Sequence, residues 1–118
     1  KSDIIAIHLP LNPKTHLLLN KNKIDMLKNT AILINTARGE IVDEKHLIKF
    51  LRSKKIFAAG FDVYDNEPNV NPALFKLKNA VLLPHIGSAT NDARNAMSLL
   101  AAKNVDAVLS GKSPITPV

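Results

Sequence analysis

The chain has 118 residues, 46% of them hydrophobic, a net charge of +6 and no cysteine. Its length suits one ordinary domain with a real core, and the lack of cysteine excludes disulfides and thiolate metal sites, a composition that fits the reducing cytoplasm. No apolar run nears the roughly 18 residues of a membrane-spanning helix, and the scattered lysines lack interleaved aromatics or zinc-finger spacing, so neither a membrane nor a nucleic-acid partner is expected.

Residues 4–9, IIAIHL, form a short β-branched apolar run ended by Pro10, which predicts a buried strand. LNPKTH follows as a loop, and KNKIDMLKNT holds a short amphipathic turn of helix with Ile24 and Leu27 on one side. AILINTA, residues 31–37, predicts a second buried strand. In IVDEKHLIKFLRSKK, Asp43 is placed to cap a helix. Leu47, Ile48, Phe50 and Leu51 supply its apolar face, and Lys54 and Lys55 suit its carboxyl end. FAAGFDVY, residues 57–64, predicts a third strand, in which Gly60 suggests a close backbone approach. ALFKLKN is short helical or irregular, and AVLLPHI, residues 80–86, predicts a fourth strand broken by Pro84.

Residues 88–110 predict a long helix, with Ala93, Ala96, Met97, Leu100, Ala101, Val105 and Val108 on one broad stripe, stopped by Gly111 and Pro114. Strands that are continuous apolar runs and alternate with helical connections predict an α/β fold with a parallel sheet and flanking helices. The opening KSDIIAIHLP enters a strand almost at once without an initiator methionine. We therefore expect a piece of a longer protein.

Ligands of open parallel sheets bind beyond the carboxyl ends of the strands. Beyond the four apolar runs stand His8-Leu9-Pro10, Asn35-Thr36-Ala37-Arg38-Gly39, Asp62 followed by Glu67-Pro68, and Pro84-His85-Ile86-Gly87-Ser88. Arg38, Glu67 and His85 would thus share one rim, with Gly39 a small residue that lets the chain turn away behind Arg38. Taken singly, each has a plainer reading: Arg38 a solvated turn residue, Glu67 an exposed loop acid, His85 a structural histidine. Asp62 would cap a turn, Thr36 would satisfy backbone groups, and His8 and His46 read as structural or exposed.

Together the three make coherent chemistry. A histidine exchanges a proton with a reacting oxygen near neutral pH, a carboxylate beside it fixes its ring, and an arginine fork binds a carboxylate and polarises an adjacent carbonyl. That combination suits a 2-keto or 2-hydroxy acid. The scattered histidines, without paired acidic neighbours, predict no metal site.

Over essentially its whole length the sequence resembles the D-isomer-specific 2-hydroxyacid dehydrogenases. SDIIAIHLPLNPKTHLLLN is similar to the strand and loop after the midpoint of that family's dinucleotide fold. MLKNTAILINTARGEIVDEKHL resembles its arginine signature, GFDVYDNEP its glutamate signature and LLPHIGSAT its histidine signature. PHIGSAT followed by ARNAMSLLAAKNV looks most like the glyoxylate/hydroxypyruvate reductase branch.

The resemblance implies the second half of a Rossmann-like sheet over residues 1–87. Residues 88–118 would be a long helix and tail linking to a separate substrate domain. It also implies NAD or NADP as cofactor, a small 2-keto or 2-hydroxy acid as substrate, and a homodimer at full length. Arg38 would bind the substrate carboxylate and carbonyl, His85 would be the acid/base, and Glu67 would hold His85. Leu9, Pro10, Thr36, Ala37, Arg38, Asp62 and His85 would line the nicotinamide side, with Gly87 and Ser88 allowing close approach. The family's G-x-G-x-x-G phosphate loop is absent, since Gly39, Gly60, Gly87 and Gly111 lie far apart. The residue selecting NAD or NADP is absent with it, and the chain alone is expected to be inactive. The alternative is an NAD(H)-sensing, non-catalytic interaction module of the same fold.

Overall fold

The computed structural model describes residues 2–117, which form two compact units that divide between Ile86 and Gly87. In the first unit four parallel strands, β1 (Ile4–Ile7), β2 (Ile32–Asn35), β3 (Ala58–Phe61) and β4 (Ala80–Leu82), stand in chain order across one sheet. Helix α1 (Lys21–Asp25) lies between β1 and β2 in sequence, and α2 (Glu44–Arg52) between β2 and β3. The parallel α/β fold expected from the apolar runs is the one found.

Every strand is shorter than its apolar run, for local reasons. β2 stops at Asn35 because that side chain takes over the bonding of the next turn, accepting from the Ala37 amide at 3.1 Å and donating to the Arg38 carbonyl at 2.9 Å. β4 stops at Leu82, two residues before Pro84, which has no N–H to give a ladder. The apolar residues beyond are therefore rim residues rather than ladder.

One face of the sheet carries the core. Leu33, Ala59 and Phe61 pack with Ile24 of α1 and Leu47, Ile48 and Leu51 of α2, joined by Ile41, Ile56 and Leu74. The opposite face, with Ile4 and Val81, is largely exposed in this unit. Asp43 caps α2 as expected, its carboxylate accepting from the His46 amide at 3.0 Å. Asn20 caps α1 in the same way. The close backbone approach expected at Gly60 is not found among the described residues, because a Cβ there would meet no atom within 4 Å.

His46 has the acidic partner that its sequence surroundings do not announce. Its Nε2 lies 2.7 Å from Asp25 Oδ1, tying α2 to α1, and Lys21 Nζ holds the other Asp25 oxygen at 3.0 Å. The His46 and Lys21 bonds hold the Asp25 carboxyl below its ordinary value.

In the second unit, α3 (Asn91–Leu109) begins three residues later than the 88–110 pattern predicts, because Thr90 caps it through the Ala93 amide at 3.1 Å. None of its residues is buried. Asn104 ties the tail back to it, donating to Thr116 Oγ1 and accepting from the Thr116 amide, both at 3.0 Å.

Candidate active site

The strands end level: Ile7 pairs with Asn35, Asn35 with Phe61, and Phe61 with Leu82. Two further bonds carry the ladder one step past this line, from the Asp62 amide to the Asn35 carbonyl at 3.0 Å and from the Leu83 amide to the Phe61 carbonyl at 2.8 Å. Whatever follows each strand therefore emerges on one rim, the edge at which open parallel sheets bind ligands.

Arg38 is presented by a stapled turn. Asn35 is 1% exposed and bonds both Ala37 and Arg38 through its amide. Arg38 itself is exposed, and one guanidinium nitrogen donates to the Ala37 carbonyl at 2.7 Å. The fork is thus leaned back on its own turn, with further N–H groups open to a ligand. Gly39 answers a different need from letting the chain turn: a Cβ on it would overlap the Tyr64 carbonyl group and the Asp65 amide nitrogen. The arginine turn and the glutamate loop touch backbone to backbone at this residue.

Glu67 and His85 meet side chain to side chain. His85 Nδ1 and Glu67 Oε2 are 2.7 Å apart, and the other Glu67 oxygen accepts from the Tyr64 amide at 2.9 Å. Partial burial pushes the Glu67 carboxyl upward. The bonds from His85 and Tyr64, with the charges of His85 and Arg38, outweigh it and hold the group below the usual carboxylate value. His85 has a φ of +53°, the left-handed region that a non-glycine residue occupies only where its surroundings hold it there. Those surroundings are visible. The Tyr64 hydroxyl donates to the Leu83 carbonyl at 2.7 Å on one side, and the Ile86 amide donates to Asp62 Oδ1 at 2.8 Å on the other.

Leu9, Pro10, Thr36, Ala37 and Arg38 come together around one open cleft of about 530 Å³, joined by His8 and Leu11. Asp62 is not among these residues. It is 5% exposed, at the carboxyl end of β3. Gly87 and Ser88 open the second unit and are described with it. An open cavity of about 800 Å³ at the amino ends of β3 and β4 is walled by Leu51, Ile56 and Leu77, and none of its lining residues is acidic or a histidine. His85, Glu67 and Arg38 stand at the other end of the sheet.

Sequence reasoning missed four participants. Asn35 and Tyr64 read as strand residues, His8 as structural or exposed, and Leu11 as part of a loop. Only the position of His8 and Leu11 in the same turn gave a signal. Glu44, in the first turn of α2, is 7% exposed, and its carboxylate accepts from the Asp65 amide at 3.2 Å. Burial pushes its carboxyl above the ordinary value, against the bonds from Asp65 and Asn71.

Comparison with known proteins places this geometry. Residues 1–87 match the family described as D-isomer specific 2-hydroxyacid dehydrogenase, NAD binding domain. The glyoxylate reductase of Thermococcus litoralis is 48% identical over 114 residues, which covers 97% of this chain and 34% of that protein. Among solved structures, the NADPH-dependent glyoxylate/hydroxypyruvate reductase of Sinorhizobium meliloti, in complex with NADP and malonate, aligns with a TM-score of 0.94 and 40% identity. It covers 98% of this chain and 36% of its own. A glyoxylate reductase from Paecilomyes thermophila aligns with a TM-score of 0.93 and 37% identity, over 99% of this chain and 36% of its own. The chain thus spans about a third of the length of the relatives it matches. It belongs to the D-isomer specific 2-hydroxyacid dehydrogenases, through their NAD binding domain.

Proposed function

We propose that this chain is part of an NAD(P)-dependent oxidoreductase that reduces a small 2-keto acid of the glyoxylate or hydroxypyruvate class to the D-2-hydroxy acid. The reading includes a homodimer in the cytoplasm. The observation that carries it is the 2.7 Å contact between His85 Nδ1 and Glu67 Oε2. It fixes the ring and leaves Nε2 as the atom that faces a reacting oxygen. The names of the relatives supply the substrate class.

The cleft suits a nicotinamide ring. Leu9, Pro10 and Ala37 offer apolar walls for a flat heterocycle, and Thr36 and Arg38 offer polar groups at its edge. When bound, the reduced cofactor supplies a hydride to the keto carbon. Arg38 grips the substrate carboxylate through its planar fork, and its charge draws electron density toward the neighbouring carbonyl oxygen. The protonated His85 ring gives its Nε2 proton to that oxygen, completing the hydroxyl and leaving the ring neutral. Glu67, which stays ionised to a lower pH than an ordinary carboxylate, holds the ring at Nδ1 before and after transfer. Asp62, Gly87 and Ser88 belong to the cofactor side of this reading.

The test is reduction of glyoxylate and hydroxypyruvate by the full-length protein, followed as loss of NADH or NADPH absorbance. His85→Ala is expected to lower turnover by about 10²–10⁴-fold, as for a lost acid/base. Arg38→Ala is expected to raise KM for the keto acid as well. Unchanged turnover in His85→Ala refutes the role of His85. Tight NADH binding with no reduction of either acid would favour the sensing module instead.

A further inference from the structure

We infer that Tyr64 is a positioning residue of the site, whose two ends set the Glu67–His85 pair. The inference rests on the dehydrogenase reading and deepens it. The backbone N–H of Tyr64 holds Glu67 Oε1 at 2.9 Å, and its hydroxyl, at the far end of the same side chain, holds the Leu83 carbonyl at 2.7 Å. Glu67 and His85 stand on separate segments, 18 positions apart in the sequence. Tyr64 bonds the glutamate through its backbone N–H and, through its hydroxyl, the carbonyl two residues before the histidine.

The ring is well placed for such a strut. It is 6% exposed, and it stacks against Phe61 of β3 with ring centroids 6.3 Å apart. Burial, with the charges of Asp62 and Glu67, pushes the phenol above its ordinary value, so the hydroxyl remains a donor at any working pH. What the strut controls is a histidine in an unfavourable backbone conformation, φ +53°. Such a residue keeps its place only while the bonds around it persist. Asp62 holds Ile86 on the far side of His85, and Tyr64 holds Leu83 on the near side. With the hydroxyl gone, Leu83 and Pro84 are free to relax, and the Nδ1–Oε2 contact loses its set length.

Leu83 is itself exposed, so its carbonyl takes water when the hydroxyl is removed. The consequence falls on rate more than on folding, which separates a positioning role from a merely structural one.

The experiment is Tyr64→Phe in the full-length protein, which keeps the ring and removes only the hydroxyl. Turnover is expected to fall about three- to tenfold, the worth of one neutral hydrogen bond if all of it is felt in the transition state. KM for NAD(P)H should be unchanged, and the pH profile of kcat altered. In ¹⁵N-histidine NMR, the protected Nδ1–H signal of His85 should weaken or vanish. In a Glu67→Gln background the same substitution should cost little more, because both act through one pair.

An unchanged kcat and an unchanged His85 signal in Tyr64→Phe would overturn the inference, as would fully additive losses in the double variant. The NMR signal needs no turnover. A wild-type protein that reduces no 2-keto acid would therefore sink the dehydrogenase reading, while the ring signal would still decide the role of Tyr64.

Discussion

Replacing Gly39 by alanine probes the contact between the arginine turn and the glutamate loop. The new methyl group would overlap the Tyr64 carbonyl group and the Asp65 amide nitrogen, which are backbone atoms with no rotamer to move aside. One of two segments must shift. The 38–42 turn is held by the Asn35 amide at 2.9 Å and by the Val42 amide donating to the Gly39 carbonyl at 3.0 Å. The 64–67 loop is held by the bonds of Tyr64 to Leu83 and Glu67 and of Asp65 to Glu44.

Overpacking a tight site costs about 1–3 kcal/mol. Pulling the Asp65 amide from the buried Glu44 carboxylate adds about 1–3 kcal/mol more. The entropy removed from the unfolded chain returns only about 0.4–1 kcal/mol. A net loss of about 3 kcal/mol is a large share of the roughly 5–15 kcal/mol that holds a domain together. At about 4–8 °C per kcal/mol for a domain of this size, the melting point should fall by about 12–24 °C. Gly60→Ala is the internal control. With open space at its Cβ and no left-handed φ, it should leave stability within about 1 kcal/mol. Parallel thermal melts and urea titrations decide the matter. A Gly39→Ala protein melting within a few degrees of wild type would refute the reasoning, because no packed backbone contact could then exist at that residue.

Two further expectations test the core and the charges. Leu33 is fully buried in β2, and Leu33→Ala should cost about 2–5 kcal/mol in urea unfolding; under about 1 kcal/mol would contradict its place in the core. Glu67 and Glu44 should show opposite pH signatures. The carboxyl of Glu67 sits below its ordinary value of 4.5, so its contribution is full above that value and is lost as pH falls through it toward the folded value. That of Glu44 is raised, so its contribution is present below 4.5 and is lost as pH rises through its higher folded value. Urea midpoints followed into acid should therefore fall less steeply in Glu67→Gln than in wild type, and more steeply in Glu44→Gln. The same slope in all three proteins would refute both assignments.

The sequence shows the sheet because buried parallel strands are written as continuous apolar runs, and four such runs separated by breakers leave little choice of fold. It overstates their lengths for a physical reason. Val63 and Tyr64 stay apolar or aromatic past the ladder because they are buried at the rim, and hydrophobicity does not distinguish a ladder residue from a rim residue. A guanidinium close behind an apolar run has the same explanation, since β2 ends at Asn35 and Arg38 belongs to the turn that Asn35 holds. The ionisable groups were legible because they follow the strand ends. Their anchors were not. Gly39 meets Tyr64, Glu44 meets Asp65, and His46 meets Asp25 across long stretches of chain that no local period records.

The division between reactive groups and anchors has its own logic. Arg38 is exposed and the His85 side chain is 49% exposed, as the roles proposed for them require. Asn35, Asp62 and Glu44, which hold the surrounding turns, are all buried, and each has a backbone partner at bonding distance. A buried polar group that loses its partner costs about 1–3 kcal/mol, whereas an exposed one finds water instead. Strain at His85 is therefore held in part from the buried side, by the bond of the Ile86 amide to Asp62. It follows that substitutions at Arg38 or His85 should change rate and leave the fold nearly untouched. Substitutions at Asn35 or Asp62 should lower rate and stability together, because the bonds that shape the rim are the same bonds that keep the ends of the sheet dry.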